Sequence, residues 1–395
     1  MRIAHVITRM IVGGAMENTL LTCEGLRARG HEVALLTGPA LGPEGELLTR
    51  ARAGGYPVIV IDALRRAIRP LRDRSAGGAL ERHLRDRSPD VVHTHASKAG
   101  ILGRRVADRL RRADPACAEL KIVHTIHGLA FHPHNNPLLN RLYVGLERRA
   151  ARRTDAILSV ADAMTAQALA AGVGRPEQFT TVYSGLEVRR FTERPAGVEA
   201  FRASVGVGAG DVLVAQVSRL AELKGHEFIL AAAGRIADPR VRFVFVGDGR
   251  RRKAIEKAIR RAGLGGRVHL TGLLPPERIP LVMHASDIVV HCSLREGLAR
   301  ALPQAMLAGK PVVSFDADGA REAVTADTGV LLEPGDVGGL VVAINTLAGS
   351  PETRARLGAA GRRRAEAMFD HDDMVDKIEA IYRRITADRP RGASR

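Results

Sequence analysis

Short segments rich in valine and isoleucine alternate with longer amphipathic segments along almost the whole chain, and this alternation restricts the fold more than any other feature. The segments expected to form strands are Ile3–Ile7, Glu32–Thr37, Val58–Ile61, Val91–His93, Ile122–Thr125, Ala156–Val160, Thr180–Val182, Val212–Val217, Arg242–Val246, Val268–Leu270, Ile288–Val290, Val312–Ser314 and Val330–Leu332. The segments expected to form helices include Glu17–Arg29, Ala99–Arg112, Leu139–Arg152, Ala254–Gly263 and Val337–Leu347. Strands of this kind, each followed by a helix, are typical of buried parallel sheets with helices on both faces. The pattern predicts an α/β protein with two Rossmann-like, doubly wound domains that face a central cleft.

The chain is too long for one hydrophobic core. It has 395 residues, whereas a single core stops growing at roughly 250–300 residues. Turn-forming residues cluster at 183–207, between the two sets of strands. We therefore expect one domain over residues 1–188, a second over 189–369, and an amphipathic helix at Met374–Ile385 near the end of the chain.

The net charge of +17 suggests an anionic partner such as a nucleic acid or a membrane. Only seven of the 60 basic residues are lysines, and the charge is spread evenly over both halves of the chain. The sequence has no basic arm, and aromatic residues make up only 3%, with no tryptophan to stack on bases. We therefore expect no nucleic-acid partner.

Cysteine usage and hydropathy bear on the compartment. Cys23, Cys117 and Cys292 are far apart, which is typical of a reducing cytosol and not of a disulfide framework. The sequence has no run of 18 apolar residues, and its first apolar run is too short for a signal peptide. We expect a cytoplasmic protein, either soluble or peripheral at the cytoplasmic face of the membrane.

The segment 138–153, LLNRLYVGLERRAARR, has two interpretations. It places five arginines beside four leucines. A basic amphipathic helix of this kind can lie on anionic lipid. It can equally be an ordinary surface helix with its apolar side in the core, and the sequence alone slightly favours this second interpretation.

Two motifs lie where doubly wound sheets place ligands, at the carboxyl ends of strands. Gly13 and Gly14 follow the first strand and would let backbone amides approach a ligand at a helix N-terminus. Arg219 and Lys224, in VSRLAELKG, can hold two phosphates of a diphosphate. Each motif also has a purely structural interpretation, as a strand–helix turn and as a solvated loop.

A third motif, REGLARALPQAMLAGKPVV, follows the strand that ends near Ser293. A helix is expected to begin near Leu298, with Glu296 at its mouth and Gln304 on it. A carboxylate beside a helix N-terminus can accept hydrogen bonds from sugar hydroxyls that lie next to a bound anion. The structural alternative is a favourable helix-dipole charge.

Six histidines flank two strand ends: His93, His95, His124, His127, His132 and His134. Their spacings match no common zinc pattern, so we expect no metal, with half of them structural and His127 nearest to the chemistry. Asp316 and Asp318 form a D-x-D pattern that can bind a divalent metal, but a turn before a helix at Ala320 is the favoured interpretation.

Together, these motifs resemble the retaining glycosyltransferases of family 4, which have the GT-B fold. The resemblance covers nearly the whole chain. It is strongest over residues 212–332, which contain the motifs VSRLAELKG, FVFVGDG, VHLTGLL, REGLARALPQAMLAGKPVVS and DTGVLLEPGD. In the first domain, the matching motifs are GGAMENTL, VVHTHASKAGILGR, VHTIHG and VYSGLEVRRF. The family pattern is Glu, seven residues, Glu, and this chain has Gln304 at the second position. Because glutamine has a single carbonyl oxygen and adds an amide donor, the affinity for the nucleotide and its identity stay open.

The resemblance implies a role for each site residue. Arg219 and Lys224 would hold the donor diphosphate and neutralise the charge that builds as it leaves. Glu296 would contact hydroxyls of the transferred sugar, and His127 would line the sugar site. The other donor-binding positions that it implies are Gly13, Gly14, Gly247, Leu273, Gly297, Leu298, Ala299 and Gln304. It also implies an acceptor-side first domain, a donor-side second domain, and a C-terminal helix, about residues 370–388, that packs back on the first domain.

The implied activity is transfer of a hexose or an N-acetylhexosamine, with retention, from a UDP- or GDP-sugar to a glycan or lipid-linked acceptor of the cell envelope. No metal or cofactor is expected. A nucleotide-sugar epimerase of the same fold and a non-catalytic binder of sugar nucleotides are the alternatives, and Gln304 favours the binder. Loops at 65–76 and 131–137 are expected to shape the acceptor pocket, while the donor sugar, the base and the acceptor stay open.

Overall fold

The computed structural model describes residues 1–41 and 45–387, and the chain divides into two compact units. The first unit consists of Met1–Gly185 together with the segment from His371 onward, and the second unit is Leu186–Asp370. Each unit contains one parallel sheet with helices on both faces. This is the Rossmann-like organisation that the alternation of strands and helices predicts.

The sheet of the first unit has seven parallel strands. They are β1 (Arg2–Ile7), β2 (Glu32–Thr37), β3 (Val58–Val60), β4 (Val91–His95), β5 (Lys121–Ile126), β6 (Ala156–Ser159) and β7 (Phe179–Thr181). Their order across the sheet is β3-β2-β1-β4-β5-β6-β7, so the direction of winding reverses between β1 and β4. In a doubly wound sheet this reversal opens a crevice at the carboxyl ends of the two strands.

Within the described part of the first unit, seven α-helices of 6 to 17 residues cover this sheet or lie at its edges. They are α1 (Gly14–Ala28), α2 (Leu48–Ala53), α3 (Pro70–Arg85), α4 (Ser97–Ala113), α5 (Pro137–Ala151), α6 (Asp162–Ala170) and, from the end of the chain, α16 (His371–Ala387). Alternate residues of β1 point to opposite faces. Ile3 and Ile7 join a core with α1 and α16, whereas Ala4 and Val6 join a core with α3 and α4.

The last helix, α16, is part of the first unit's core. Met374, Val375 and Tyr382 on this helix are buried in the cluster that includes Ile3 and Leu20. Burial of side chains of this size contributes about 1.5–3 kcal/mol each to the free energy of unfolding. The chain therefore returns to the first unit through hydrophobic packing.

The sheet of the second unit has six parallel strands. They are β8 (Val212–Val217), β9 (Val241–Val246), β10 (Val268–Gly272), β11 (Ile288–His291), β12 (Val312–Phe315) and β13 (Gly329–Leu332). Their order is β10-β9-β8-β11-β12-β13, which reverses between β8 and β11. Val212 and Val214 face one apolar core while Leu213 and Ala215 face another, so the sheet is buried on both sides.

Nine helices belong to the second unit as it is described. They are α7 (Val188–Thr192), α8 (Val198–Ser204), α9 (His226–Ala233), α10 (Arg252–Arg261), α11 (Ile279–Ala285), α12 (Ala301–Leu307), α13 (Ala320–Ala323), α14 (Val337–Gly349) and α15 (Pro351–Met368). None of the helices within the described residues is both long and apolar enough to cross a lipid bilayer.

All thirteen expected strands are present, with ends that differ by at most two residues. The expected loop at 65–76 is wrong over most of its length, because α3 begins at Pro70. Proline is well tolerated in the first turn of a helix, where its missing N–H is not needed. Ala76, Leu80 and Leu84, spaced four apart, then bury one face of α3.

Candidate functional site

The candidate site of the second unit lies at the point where the strand order of its sheet reverses. The loop after β8 carries Arg219 and Lys224, and the loop after β11 carries Glu296. Since β8 and β11 are paired in parallel, their carboxyl ends lie side by side. Open α/β sheets bind ligands at such switch points.

Lys224 and Glu296 meet across this point. The ammonium group of Lys224 forms an ion pair with Oε1 of Glu296, and Nε2 of His291 lies 2.9 Å from the same oxygen. Burial opposes ionisation of the Glu296 carboxyl, but the Lys224 charge and the His291 hydrogen bond outweigh it and hold its pKa well below the usual range. The site therefore presents a carboxylate beside a cation. His291, the last residue of β11, was not predicted as a site residue.

The two loops are joined by their backbones. The N–H of Leu294 donates to the carbonyl of Leu223 at 2.8 Å, and the Ser293 hydroxyl donates to the same carbonyl at 2.9 Å. Gly225 has a φ of +72°, and a Cβ atom there would lie 1.8 Å from the Cys292 carbonyl oxygen. Only glycine fits this approach, so the position of Lys224 is set by close backbone packing.

Asp318 holds the backbone of Glu296. Its Oδ2 atom accepts the Glu296 N–H at 2.7 Å, and the Gly319 N–H donates to the Gly297 carbonyl at 3.1 Å. Asp318 has a φ of +52°, a conformation that aspartate adopts in tight turns. Asp316 instead pairs with Arg321. These contacts favour the turn interpretation of the D-x-D pattern.

Arg219 is exposed on the loop that carries Lys224. Gly247, at the end of β9, packs directly beneath this loop, since a Cβ atom at Gly247 would lie 2.1 Å from the Ser218 carbonyl oxygen. The Gly247 N–H also donates to the Gly272 carbonyl at 3.0 Å, next to Leu273, whose side chain is 41% exposed. The structure thus brings Gly247 and Leu273 to the same edge of the sheet as Arg219.

The expected start of a helix near Leu298 is wrong. Gly297, Leu298 and Ala299 form an irregular, buried segment, and α12 begins at Ala301. Pro303 explains the shift, because a helix that began at 298 would need the N–H that proline lacks. With its start at Ala301, α12 has Pro303 in its first turn and is only seven residues long.

Gln304 lies on α12 and is 9% exposed. Its backbone N–H donates to Arg300 at 3.1 Å within the first helical turn. The Gln304 side chain is therefore almost inaccessible to solvent, on the helix that follows Glu296. Burial of an amide is favourable only when it has hydrogen-bond partners.

Gly13, Gly14 and His127 belong to the first unit. Helix α1 begins at Gly14, and the Gly13 carbonyl accepts the N–H groups of Met16 and Glu17 at 3.1 and 3.0 Å. These glycines follow β1, one of the two strands between which the first sheet reverses. They therefore lie at the first unit's own switch point.

His127 follows β5 and lines a pocket together with Ser97, His124 and Glu147. Its Nε2 atom lies 3.1 Å from Nδ1 of His95, a buried residue at the end of β4.

Two other members of the histidine cluster are buried and hydrogen-bonded within the first unit. His93 is bonded to Tyr382 and Thr125, and His124 is bonded to Thr94. The prediction missed His5, a buried residue of β1 whose Nδ1 atom lies 3.0 Å from Nε2 of His95.

The preferred interpretation of residues 138–153 is wrong. Four leucines of α5 are exposed: Leu138 (72%), Leu139 (37%), Leu142 (54%) and Leu146 (37%). The buried side of α5 is formed instead by Glu147, Ala150 and Ala151. Glu147 accepts a hydrogen bond of 2.6 Å from the buried Arg104. A buried ion pair and small residues thus replace leucine as the anchor of this helix.

Comparison of the sequence with protein-family profiles gives two matches. The profile described as "Glycosyl transferase 4-like domain" matches residues 13–185, and "Glycosyl transferases group 1" matches residues 198–364. The two profiles together cover most of both structural units.

Two relatives with assigned activities are similar in sequence. The 2-deoxystreptamine N-acetyl-D-glucosaminyltransferase of Streptomyces fradiae is 33% identical over 282 residues, which are 69% of this chain and 66% of that protein. The UDP-Gal:alpha-D-GlcNAc-diphosphoundecaprenol alpha-1,3-galactosyltransferase of Escherichia coli is 26% identical over 387 residues, which are 96% of both chains. The similarity to the first relative thus spans slightly less than two thirds of its length.

Among solved structures, HepE from Anabaena in complex with UDP-glucose superposes with a TM-score of 0.81. It is 26% identical, and the match covers 96% of this chain and 99% of that one. The likeness therefore extends over both units.

Proposed function

The chain belongs to the family 4 glycosyltransferases of the GT-B fold, and from this premise we propose that it transfers a hexose or an N-acetylhexosamine with retention at the anomeric carbon. The donor is a nucleotide-diphosphate sugar, and the acceptor is a glycan or a lipid-linked sugar. Transfer needs no metal ion, because Arg219 and Lys224 provide the positive charge.

One observation carries this proposal: a cation and a carboxylate meet at the switch point of the second unit. Lys224 and Glu296 come from the loops after β8 and β11, and His291 is hydrogen-bonded to the Glu296 carboxylate. The ammonium group of lysine has three donors, so it can bind phosphate while it stays bonded to Glu296. The carboxylate is then left to accept hydrogen bonds from sugar hydroxyls.

The proposed reaction uses these groups in one step. The bond between the anomeric carbon and the diphosphate oxygen breaks, and the acceptor oxygen bonds to that carbon on the same face. The acceptor proton passes to the departing phosphate oxygen. Arg219 and Lys224 stabilise the negative charge on the diphosphate, an electrostatic effect for which a single group contributes about 10²–10³-fold in rate.

The relatives support the proposed donor and acceptor classes. HepE was crystallised with UDP-glucose, and the names of both sequence relatives specify sugar transfer, one of them from UDP-galactose to a diphosphoundecaprenol-linked sugar. UDP-sugars are therefore the first donors to test. Gln304 keeps GDP-sugars in the screen, because its amide offers one acceptor and a donor where the family has a carboxylate.

A thermal-shift screen of UDP-, GDP-, ADP- and TDP-sugars identifies the donor. A ligand at 100 times its Kd stabilises the folded protein by about 2.7 kcal/mol. Incubation of that donor with and without candidate acceptors, in the presence of EDTA, then tests transfer, and NMR coupling constants of the product report retention. Formation of a new nucleotide sugar without an acceptor would identify an epimerase instead.

The double variant Arg219→Ala, Lys224→Ala tests the assignment of the site. We expect transfer, measured below the melting temperature of the variant, to fall by at least 10²-fold. The melting temperature without ligand should also fall, because Lys224→Ala leaves the largely buried Glu296 carboxylate without its cation. A matched control is Lys257→Ala, Arg261→Ala, which removes two exposed cations of α10 in the same unit, away from the loop that carries Arg219 and Lys224. Near wild-type turnover in the first double variant would refute the assignment.

We also propose that α5 rests on an anionic membrane surface. Leu138, Leu142 and Leu146 are four residues apart, so they share one exposed face. Arg141 and Arg149 are exposed on the same helix. Apolar residues that enter the lipid interface, flanked by arginines near the headgroups, are the features of an interfacial helix.

Co-sedimentation with vesicles tests the membrane proposal. We expect binding to anionic vesicles at low salt, little binding to neutral vesicles, and loss of binding in Leu142→Ser, Leu146→Ser. Val342 is also exposed, at 65%, and Val342→Ser in the second unit is the control. Equal binding of the α5 variant and the wild type would show that α5 does not mediate contact.

A further inference from the structure

A chain of three hydrogen-bonded histidines runs from the surface of the first unit into its core. Nε2 of His127 lies 3.1 Å from Nδ1 of His95, and Nε2 of His95 lies 3.0 Å from Nδ1 of His5. His127 is half-buried, whereas His95 and His5 are fully buried. The three residues come from adjacent elements, because β1 pairs with β4 and β4 pairs with β5.

The two buried imidazoles are neutral near pH 7. Burial lowers the pKa of His5 to about 3. Burial, followed by the neighbouring His93 and His5, lowers the pKa of His95 well below its usual value. A neutral imidazole has one N–H and one lone pair. Each ring in the chain can therefore donate in one direction only.

This restriction leaves two proton arrangements for neutral rings. Either every N–H in the chain points toward His5, or every N–H points toward His127. In the first arrangement His5 carries its proton on Nε2. In the second, His5 carries its proton on Nδ1, and Nε2 is an unprotonated acceptor.

The inner end of the chain decides between the two arrangements. Nε2 of His5 is buried and has no hydrogen-bond partner within residues 1–41 and 45–387. Among backbone groups, buried donors without a partner are rarer in native structures than buried acceptors without one, and we infer the same preference for this imidazole nitrogen. His5 therefore donates from Nδ1 to His95, His95 donates from Nδ1 to His127, and the proton of His127 is on its own Nδ1.

A metal ion is the competing explanation for this cluster. Ligand nitrogens of His5, His93 and His95 lie within 4.8 Å of one another. However, both ring nitrogens of His93 are bonded, to Tyr382 and Thr125, and both ring nitrogens of His95 are bonded to histidines. These contacts favour a hydrogen-bonded chain over a three-ligand metal site.

We propose that His95 and His5 are positioning residues that hold His127 in the Nδ1–H tautomer, so that His127 acts as a hydrogen-bond donor to an oxygen of the bound substrate. The substrate in this statement rests on the proposed function, but the tautomer does not. In this proposal, the chain of histidines fixes the Nδ1–H group of His127 as the donor for the pocket that His127 lines.

Nitrogen-15 NMR of selectively labelled histidine tests the proposal without any substrate. In the wild type we expect His127, assigned by loss of its signals in His127→Ala, to show a protonated Nδ1 and an unprotonated Nε2. His95→Asn keeps a donor near the Nδ1 position and should preserve this pattern. His95→Leu removes the donor and should shift His127 toward the Nε2–H form, and the exposed His269→Asn is the control.

Kinetics give a second readout once a donor and an acceptor are known. We expect kcat to fall at least tenfold in His95→Leu, with partial recovery in His95→Asn, and KM for the donor to change less. A wild-type His127 that is protonated on Nε2, or a stoichiometric metal that is lost in His5→Ala, would overturn the proposal and leave the glycosyltransferase assignment untouched. Absence of sugar transfer with an Nδ1–H tautomer would refute only the proposed function.

Discussion

The ammonium group of Lys224 and the carboxylate of Glu296, 72 residues apart in the chain, form an ion pair at the carboxyl ends of two adjacent strands. Both side chains are about four-fifths buried, at 17% and 20% exposure. An ion pair in such a position is retained only if it is well hydrogen-bonded, because its charges have lost much of their hydration. His291 supplies the additional hydrogen bond to Glu296.

The pH dependence of stability should report on Glu296. Its pKa in the folded protein is lower than the value of about 4.3 for an unfolded chain. Its contribution to the free energy of unfolding is therefore complete above about pH 5 and is lost as the pH falls. We expect Glu296→Gln to flatten the decline of stability between about pH 5 and 3, as measured by urea unfolding. Glu352→Gln, at an exposed position of α15, should leave the decline unchanged, and an equal effect of both variants would contradict the prediction.

Gly247→Ala should disturb the loop that carries Arg219. The new Cβ atom would lie 2.1 Å from the Ser218 carbonyl oxygen, and the φ of +138° is strained for alanine. We expect the free energy of unfolding to fall by about 1–3 kcal/mol and donor binding to weaken. Gly265→Ala is a suitable control, since its Cβ atom would have no neighbour within 4 Å. Calorimetry with and without the nucleotide separates the two effects, and unchanged values for Gly247→Ala would contradict the close packing.

Gln304→Glu should strengthen nucleotide binding. A carboxylate offers two strong acceptors to ribose hydroxyls, and a charged acceptor forms stronger hydrogen bonds than an amide. We expect the Kd for UDP to fall several-fold in isothermal titration calorimetry, with no change for the exposed Gln167→Glu. Weaker binding by Gln304→Glu would mean that the amide N–H of Gln304 is itself used to hold the nucleotide.

The buried histidines should make the first unit sensitive to acid. The pKa of His5 is about 3 in the folded state and about 6.5 in the unfolded chain. Between these values only the unfolded state binds the proton, so stability falls as the pH drops below about 6.5, by about 1.4 kcal/mol per pH unit for each such histidine. His5→Phe should reduce this slope between about pH 6 and 4. An unchanged slope would show that His5 is accessible to protons in the folded state.

Much of the fold was predictable because its determinants are local. Short segments rich in β-branched and apolar residues, followed by helical repeats, mark all thirteen strands, which are three to six residues long. Parallel strands place their carboxyl ends on one edge, so Arg219, Lys224 and Glu296 could be assigned to loops at that edge. The start of α12 at Ala301 was also encoded locally, since Pro303 cannot donate a hydrogen bond within a helix.

The remaining features depend on which strands become neighbours. The sequence by itself determined the strands, the helices and the loops on which Lys224 and Glu296 lie, because the periodicity of apolar residues acts over a few residues. Only the tertiary structure decided that β8 pairs with β11 and β1 with β4, because crossover connections set the strand order over long separations. Those pairings join Lys224 to Glu296 and bring His5 to His95. Likewise, tertiary contacts decided which face of α5 is exposed. Glu147 faces inward because it pairs with the buried Arg104, and the leucines of α5 are left exposed.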